Sequence, residues 1–262
     1  MQERHQNRLK YFQEQVFTTT KYVIPYIQTV KQISPETRVL EIGCGEGGNL
    51  KPFLDMGCKV VGIDILANKI ENARTYYQDH PLLHNLELIA QDIYKVEAGE
   101  HFVFDLIILR DTIEHIPDQD RFLEHLKKFL TADGKIFFAF PPWRMPFGGH
   151  QQICKNKWLS VLPYFHILPK IMYRGILKAF GEPDNTIRDL MDIKDTRLSI
   201  YAFKNLLAKR QYRVERLTYY VFNPNYEIKF KLKPLVLPGL LAIPFFMDFY
   251  TTAVYCVVGK NE

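Results

Sequence analysis

The chain has 262 residues, 47% of them hydrophobic and 24% charged, with a formal net charge of +5. This composition suits one large globular domain and excludes a disordered chain. The basic surplus is small and falls in short clusters such as Lys127-Lys128, Lys209-Arg210 and Lys229/Lys231/Lys233. A nucleic-acid binder would gather it into a stripe, so no nucleic-acid partner is expected.

Taken in chain order, "MQERHQNRLKYFQEQ" is polar and lacks the apolar core of a signal peptide, which points to the cytoplasm. Residues 3–32 show helical spacing and predict two helices interrupted near Pro25. A regular alternation follows. Strands are predicted at "RVLEI" (38–42), "KVVGID" (59–64), "LELIAQD" (86–92), "VFDLIILR" (103–110) and "KIFFAF" (135–140). Between them, a helix runs to about Met56, and two more cover 66–78 and 118–130. Strands alternating with helices imply a parallel sheet covered on both faces. The alternation lapses after residue 150, where Pro163, Pro169 and Pro183 divide an aromatic-rich segment into helical pieces. A helix at 198–211 and strands at 212–222 and near 251–259 close the chain. The expected organisation is one domain: a helical cap (1–35), a ligand-binding core (36–150), a helical lid (151–197) and a sheet-completing end (198–262).

Two stretches temper this picture. From Leu235 to Val258 only Asp248 is charged, nearly enough to span a bilayer, but Pro238 and Pro244 interrupt it. The expectation is a buried loop and a terminal core strand; peripheral contact with a membrane or a lipid-linked substrate is the alternative. The four cysteines (44, 58, 154, 256) have no metal-binding spacing and read as free buried thiols. No His/Asp cluster shows ligand spacing along the sequence, so no metal is expected.

The richest stretch is "VLEIGCGEGGN" (39–49). Gly43, Gly45 and Gly47 follow a strand and precede a helix, where they allow a sharp turn and close approach of a ligand to main-chain N–H groups. Asp64 ends the next strand, where an acid can hold two ribose hydroxyls. A dinucleotide dehydrogenase would fit that much. However, Glu41 beside the turn suits a cationic ligand better than a pyrophosphate, and the turn reads G-x-G-x-G-G. A third acid, Asp92, closes strand three in "AQDIY" and could meet an adenine amine.

At these residues, and at "VVGIDI", "FDLIILRDTIEHI" and "LKKFLTADGKIFFAFPP", the sequence resembles the class I S-adenosylmethionine-dependent methyltransferases over about residues 36–142. "RDTIEHI" looks most like the small-molecule branch that includes quinone-biosynthesis O-methyltransferases. The resemblance implies a Rossmann-like α/β fold with a seven-stranded, mostly parallel sheet whose last strand is antiparallel. It implies S-adenosylmethionine as cofactor and a small, partly hydrophobic acceptor, by preference a hydroxyl. Glu41 would then orient the methionine moiety, with Gly43, Cys44 and Gly45 packed against the cofactor. Asp64 would hold the ribose and Ile65 the adenine face; Gln91, Asp92 and Ile93 would surround the adenine amine. Arg110 and Asp111 would line the methionine side.

A hydroxyl acceptor must lose a proton, and the candidate bases are His115 in "IEHIP" and His150 in "GGHQQ", with Glu114 as a nearby carboxylate. Trp143, Phe147 and His166 are expected on the acceptor-pocket wall. The tetrapeptide Phe140-Pro141-Pro142-Trp143 is similar to the signature of base-amine methyltransferases. That signature follows strand four and opens with Asp or Asn, whereas this one follows strand five and opens with Phe140, which accepts nothing. Its prolines predict an extended exit, and Gly148-Gly149 a flexible swing over the pocket. A protein or nucleic-acid methyltransferase, a nicotinamide-dependent oxidoreductase and a non-catalytic cofactor-binding protein stay open as alternatives.

Overall fold

The computed structural model describes residues 7–99 and 101–261. The start of the polar N-terminal stretch lies outside them. At the N-terminus, α1 (Arg8–Thr18) runs through a π-helical segment (Thr19–Val23) into α2 (Ile24–Gln28). The predicted interruption near Pro25 is therefore a change of helical pitch. Pro25 sits in the first turn of α2, where its missing N–H costs least.

The alternating part follows as β1 (Arg38–Ile42), α3 (Lys51–Asp55), β2 (Lys59–Asp64), α4 (Ala67–Tyr77), β3 (Leu86–Ala90), β4 (Phe104–Arg110), α5 (Gln119–Leu126) and β5 (Leu130–Phe140). Then come α6 (Lys157–Val161), α7 (Lys170–Ala179), α8 (Asp184–Thr196), α9 (Ile200–Lys209), β6 (Tyr212–Phe222), α10 (Asn225–Phe230), β7 (Leu235–Val236) and β8 (Ala253–Lys260). The sheet order is β3-β2-β1-β4-β5-β8-β6-β7. β1 to β5 pair in parallel, and β8 is antiparallel to both β5 and β6. The sheet has eight strands where seven were expected. The additional one is the two-residue β7, which pairs with Tyr220 and Phe222 at the sheet edge.

Strand periodicity sorts the core into two layers. Leu40, Ile42, Ile107, Leu109, Ile136 and Phe138 pack with Phe122, Leu126, Phe203 and Leu207 from α5 and α9. Val39, Leu106, Ile108, Phe137 and Tyr255 face the other way, onto Phe12, Ile27, Phe53 and Leu54. Side chains alternating across a pleat make each strand contribute to both layers. Such double burial is why β4 reads as an almost unbroken apolar run.

Beyond β5 a separate apolar cluster forms within residues 151–196, from Cys154, Leu159, Phe165, Tyr173, Leu177, Ile187 and Leu190. Lys194 is buried beside it, its Nζ donating to the carbonyls of His166 and Leu168. The apolar stretch from Leu235 departs from expectation. Its terminal part is the buried strand β8, but Leu240 is 94% exposed, and Leu241, Ile243, Phe245 and Phe246 are also exposed. Leu237 and Met247 of this loop are buried in the core layer with Ala242 packed against it, while the exposed side chains between them stay outside it. Among the described residues, no helix is long and apolar enough to cross a membrane.

Candidate active site

In an open parallel sheet, ligands bind outside the carboxyl ends of the strands where the order reverses. Here that point lies between β1 and β4. The loop after β1 turns at Gly43, Gly45 and Gly47, all with positive φ. At Gly43 the requirement is double: φ is +74°, and an added Cβ would stand 2.7 Å from Thr112 Oγ1. Gly45 has the same left-handed backbone and is buried, with Lys69 Cδ 3.8 Å from where a Cβ would stand. Cys44 points away and is buried in the core layer under β1.

Glu41 is buried, and its Oε1 accepts from Asn49 Nδ2 at 2.6 Å. Its Oε2 has no partner among the described residues. Burial outweighs the Asn49 hydrogen bond and the nearby Arg110, pushing this carboxyl up to about 8. Arg110, at the end of β4, donates to Asn49 Oδ1 and to Asn225 Oδ1 at 2.6 Å each, and to Thr19 Oγ1 at 3.3 Å. Thr18 Oγ1 donates to the same Asn225 oxygen. One guanidinium thus ties together the N-terminal helix, the glycine turn, β4 and α10. Tyr11 of α1 also faces this site; burial raises its phenol, with Asp111, Glu46 and Glu41 acting in the same direction.

Asn49, Thr19 and Asn225 were not singled out by sequence reasoning. Asn49 closes the quoted glycine stretch and was within reach; Asn225 arrives from the far end of the chain with no local signal.

The other expected residues fall as follows. Asp64 accepts from Gly45 N at 2.8 Å and from Leu66 N at 2.9 Å, so its carboxylate braces the glycine turn. Ile65 beside it is 70% exposed, an apolar side chain free to meet a ring. Asp92 caps the turn after β3 through Tyr94 N, leaving its second oxygen uncommitted to that cap. Gln91 donates to Lys95 O and stiffens the same loop. Ile93 is buried in the core layer with α5, away from solvent. Asp111 is exposed and takes φ +53°, unusual for a non-glycine residue.

On the other side of the crevice stand three groups that the sequence holds far apart. The turn after β4 (Ile113–His115) presents Glu114 and His115, and the loop after β5 presents His150. His115 Nε2 lies 4.0 Å from Glu114 Oε1, and the two imidazoles meet edge-to-face at 4.9 Å between centroids. Donor atoms of all three lie within 4.8 Å of one another. This corrects the expectation that no metal-ligand grouping exists: the spacing absent along the sequence is created by the fold. Burial raises the Glu114 carboxyl well above its ordinary range, and Asp111 adds to it. Burial, then His115 and His166, push the half-buried His150 imidazole down to about 3, so it is neutral at physiological pH.

The Pro-Pro loop is tighter than predicted. From Pro142 it folds into successive turns, Met145 N to Pro142 O, Gly148 N to Met145 O and His150 N to Phe147 O. Gly149 is no swinging hinge, because its added Cβ would stand 2.1 Å from His166 Cβ. Trp143 is buried and its ring meets His166 edge-to-face, while His166 Nε2 bonds Trp143 O at 2.7 Å. His166 is fully buried packing, and Phe147 is half-buried in the same loop.

A Rossmann-like sheet with one antiparallel strand inserted after β5, a glycine turn at the switch point and an acid at the end of β2 define a nucleoside-binding fold of methyltransferase type. The model of the family described as "Methyltransferase domain" matches residues 9–168, and the chain belongs to that family. It is 36% identical over 107 residues to a ubiquinone biosynthesis O-methyltransferase of Chelativorans sp., covering 39% of each chain. It is 30% identical over 186 residues to the protein of that name from Bartonella bacilliformis, covering 66% of this chain and 73% of the relative. The first of these matches thus spans less than half of the relative's length. Geranyl diphosphate C-methyltransferase from Streptomyces coelicolor, solved with Mg2+, geranyl diphosphate and S-adenosyl-L-homocysteine, superposes with TM-score 0.56 over 90% of this chain and 78% of its own, at 13% identity.

Proposed function

We propose that the chain transfers the methyl group of S-adenosylmethionine to a hydroxyl of a small, partly hydrophobic acceptor. The observation that carries this reading is the unpartnered Oε2 of buried Glu41 at the glycine turn. A buried carboxylate oxygen without a donor is costly, and a ligand's ammonium group satisfies it. The exposed backbone at Gly43 and the exposed Ile65 fit the rest of such a ligand. Bound there, the cofactor supplies an electrophilic methyl on a sulfonium. Glu41 holds the ammonium end, Asp64 and the turn it braces hold the ribose, and Asp92 with Ile65 the adenine. Arg110 keeps the methionine side rigid, and Asp111 lines it.

The Glu114–His115–His150 face receives the acceptor, whose hydroxyl must lose its proton there. Trp143 and Phe147 belong to its wall. The hydroxyl preference is supported by the relatives' names and by this face. The hydrophobic part of the acceptor, lipid-linked molecules included, is supported by exposed apolar side chains such as Trp158 (79%), Ile171 (89%) and Leu240.

Calorimetry tests the cofactor. S-adenosylmethionine should bind and NAD should not, and Glu41→Gln should weaken binding by about ten- to a hundredfold, the worth of a charge-assisted hydrogen bond. Unchanged affinity in that variant would overturn the reading.

A further inference from the structure

We propose that Glu114, His115 and His150 together bind a divalent first-row transition-metal ion that holds the acceptor's hydroxyl oxygen. The inference rests on the reading of the site as a hydroxyl-directed methyltransferase and supplies its means of activating the acceptor.

Three independent features converge. Glu114 is only 5% exposed, and neither of its carboxylate oxygens has a partner among the described residues. Buried carboxylates are normally hydrogen-bonded, paired or bound to a metal. The imidazoles of His115 and His150 make no hydrogen bond to the described residues either, although their donor atoms and a Glu114 oxygen all lie within 4.8 Å of one another. His150 is held there at φ +56°, a left-handed conformation that a non-glycine residue adopts only when its surroundings impose it. Gly149, wedged against His166, and the carbonyl of Phe147, which accepts from His150 N, impose it. The opposite wall is fixed as well, since Thr196 Oγ1 of α8 donates to the carbonyl of Glu114.

Two imidazole nitrogens and one carboxylate oxygen suit zinc, iron(II), cobalt(II) or manganese(II) rather than the all-oxygen shells of calcium and magnesium. Three protein ligands leave positions open for a substrate oxygen. A hydroxyl bound at such an ion gives up its proton far more readily. The proton leaves to solvent, the oxygen lone pair attacks the methyl carbon, and the C–S pair stays on sulfur as the neutral thioether of S-adenosylhomocysteine.

The test uses the full chain stripped with a chelator and titrated with Co2+, followed by visible d–d absorption and by calorimetry. One ion per chain is expected, with affinity at least about tenfold weaker in Glu114→Gln and in His150→Ala, and largely retained in His150→Asp, which keeps a donor. Circular dichroism confirms that each variant is folded, and His115→Asn serves where one is not. Absence of saturable Co2+ binding, or equal binding in the folded ligand variants, overturns the site. S-adenosylmethionine binding in the same samples separates the two readings. Cofactor binding without metal binding sinks the metal site and leaves the proposed function standing, whereas loss of both sinks the function.

Discussion

The two walls of the crevice are built on opposite plans. On the β1 side nearly every polar atom is spoken for: Arg110, Asn49, Thr19 and Asn225 form one buried network, and Glu41 keeps a single oxygen free. On the β4–β5 side neither oxygen of Glu114 is hydrogen-bonded, its near neighbour being His115 Nε2 at 4.0 Å, and the histidines meet each other by their ring edges. A wall complete before its ligand arrives holds a fixed ligand at little ordering cost. A wall whose polar atoms lack partners must be completed by what binds there. The difference marks the first as the cofactor wall and the second as the reacting wall.

The contrast is sharpest in how stability follows pH. Burial holds the Glu41 carboxyl protonated in the native state up to about 8, while in the unfolded chain it ionises at the ordinary glutamate value of about 4.5. Between those values the unfolded state binds fewer protons, so stability falls as pH rises from about 4.5 to about 8 and is level outside that window. The full drop is on the order of 5 kcal/mol for such a raised carboxyl. Urea denaturation across this window should show a slope that flattens in Glu41→Gln. An identical slope in both proteins would mean that Glu41 is not the desolvated group.

Next in size is Arg110→Met. It removes three hydrogen bonds donated by one buried guanidinium and leaves the Asn225 oxygen with Thr18 and the Asn49 oxygen with Thr19 as remaining donors. A loss of about 3 kcal/mol is expected by denaturant titration, because three hydrogen bonds from a charged donor are lost from a buried network. A loss below about 1 kcal/mol would show that the network tolerates water, and the claim of a preformed wall would fail.

How much of this was legible follows from the same contrast. The glycine turn, Glu41 and Asp64 sit within one strand–turn–helix–strand unit, so their neighbourhood is written in adjacent residues. The parallel part of the sheet was legible from the alternation of strands and helices, whereas the antiparallel final strand was expected only through the family resemblance. Asn225 and Thr19 join Arg110 from opposite ends of the chain, and nothing local in either segment announces it. The grouping of Glu114 and His115 with His150 depends on two loops leaving neighbouring parallel strands, β4 and β5, on the same edge. Both histidines were visible as candidates, but their meeting was not. Gly149 misled for a physical reason: a glycine can mark freedom or crowding, and only the neighbouring His166 decides.

The smallest expected effect is the most discriminating for the reacting wall. Glu114 is buried and neither of its side-chain oxygens is hydrogen-bonded, so it contributes little to holding the fold together. Glu114→Gln keeps its size and breaks no hydrogen bond made by the side chain. The expected change in unfolding free energy is therefore no more than about 1 kcal/mol in either direction, read from thermal and urea denaturation. Methyl transfer should nonetheless fall steeply with S-adenosylmethionine affinity unchanged. A destabilisation as large as that of Arg110→Met would place Glu114 among the groups that build the fold, and the division between a complete wall and a reactive one would not hold.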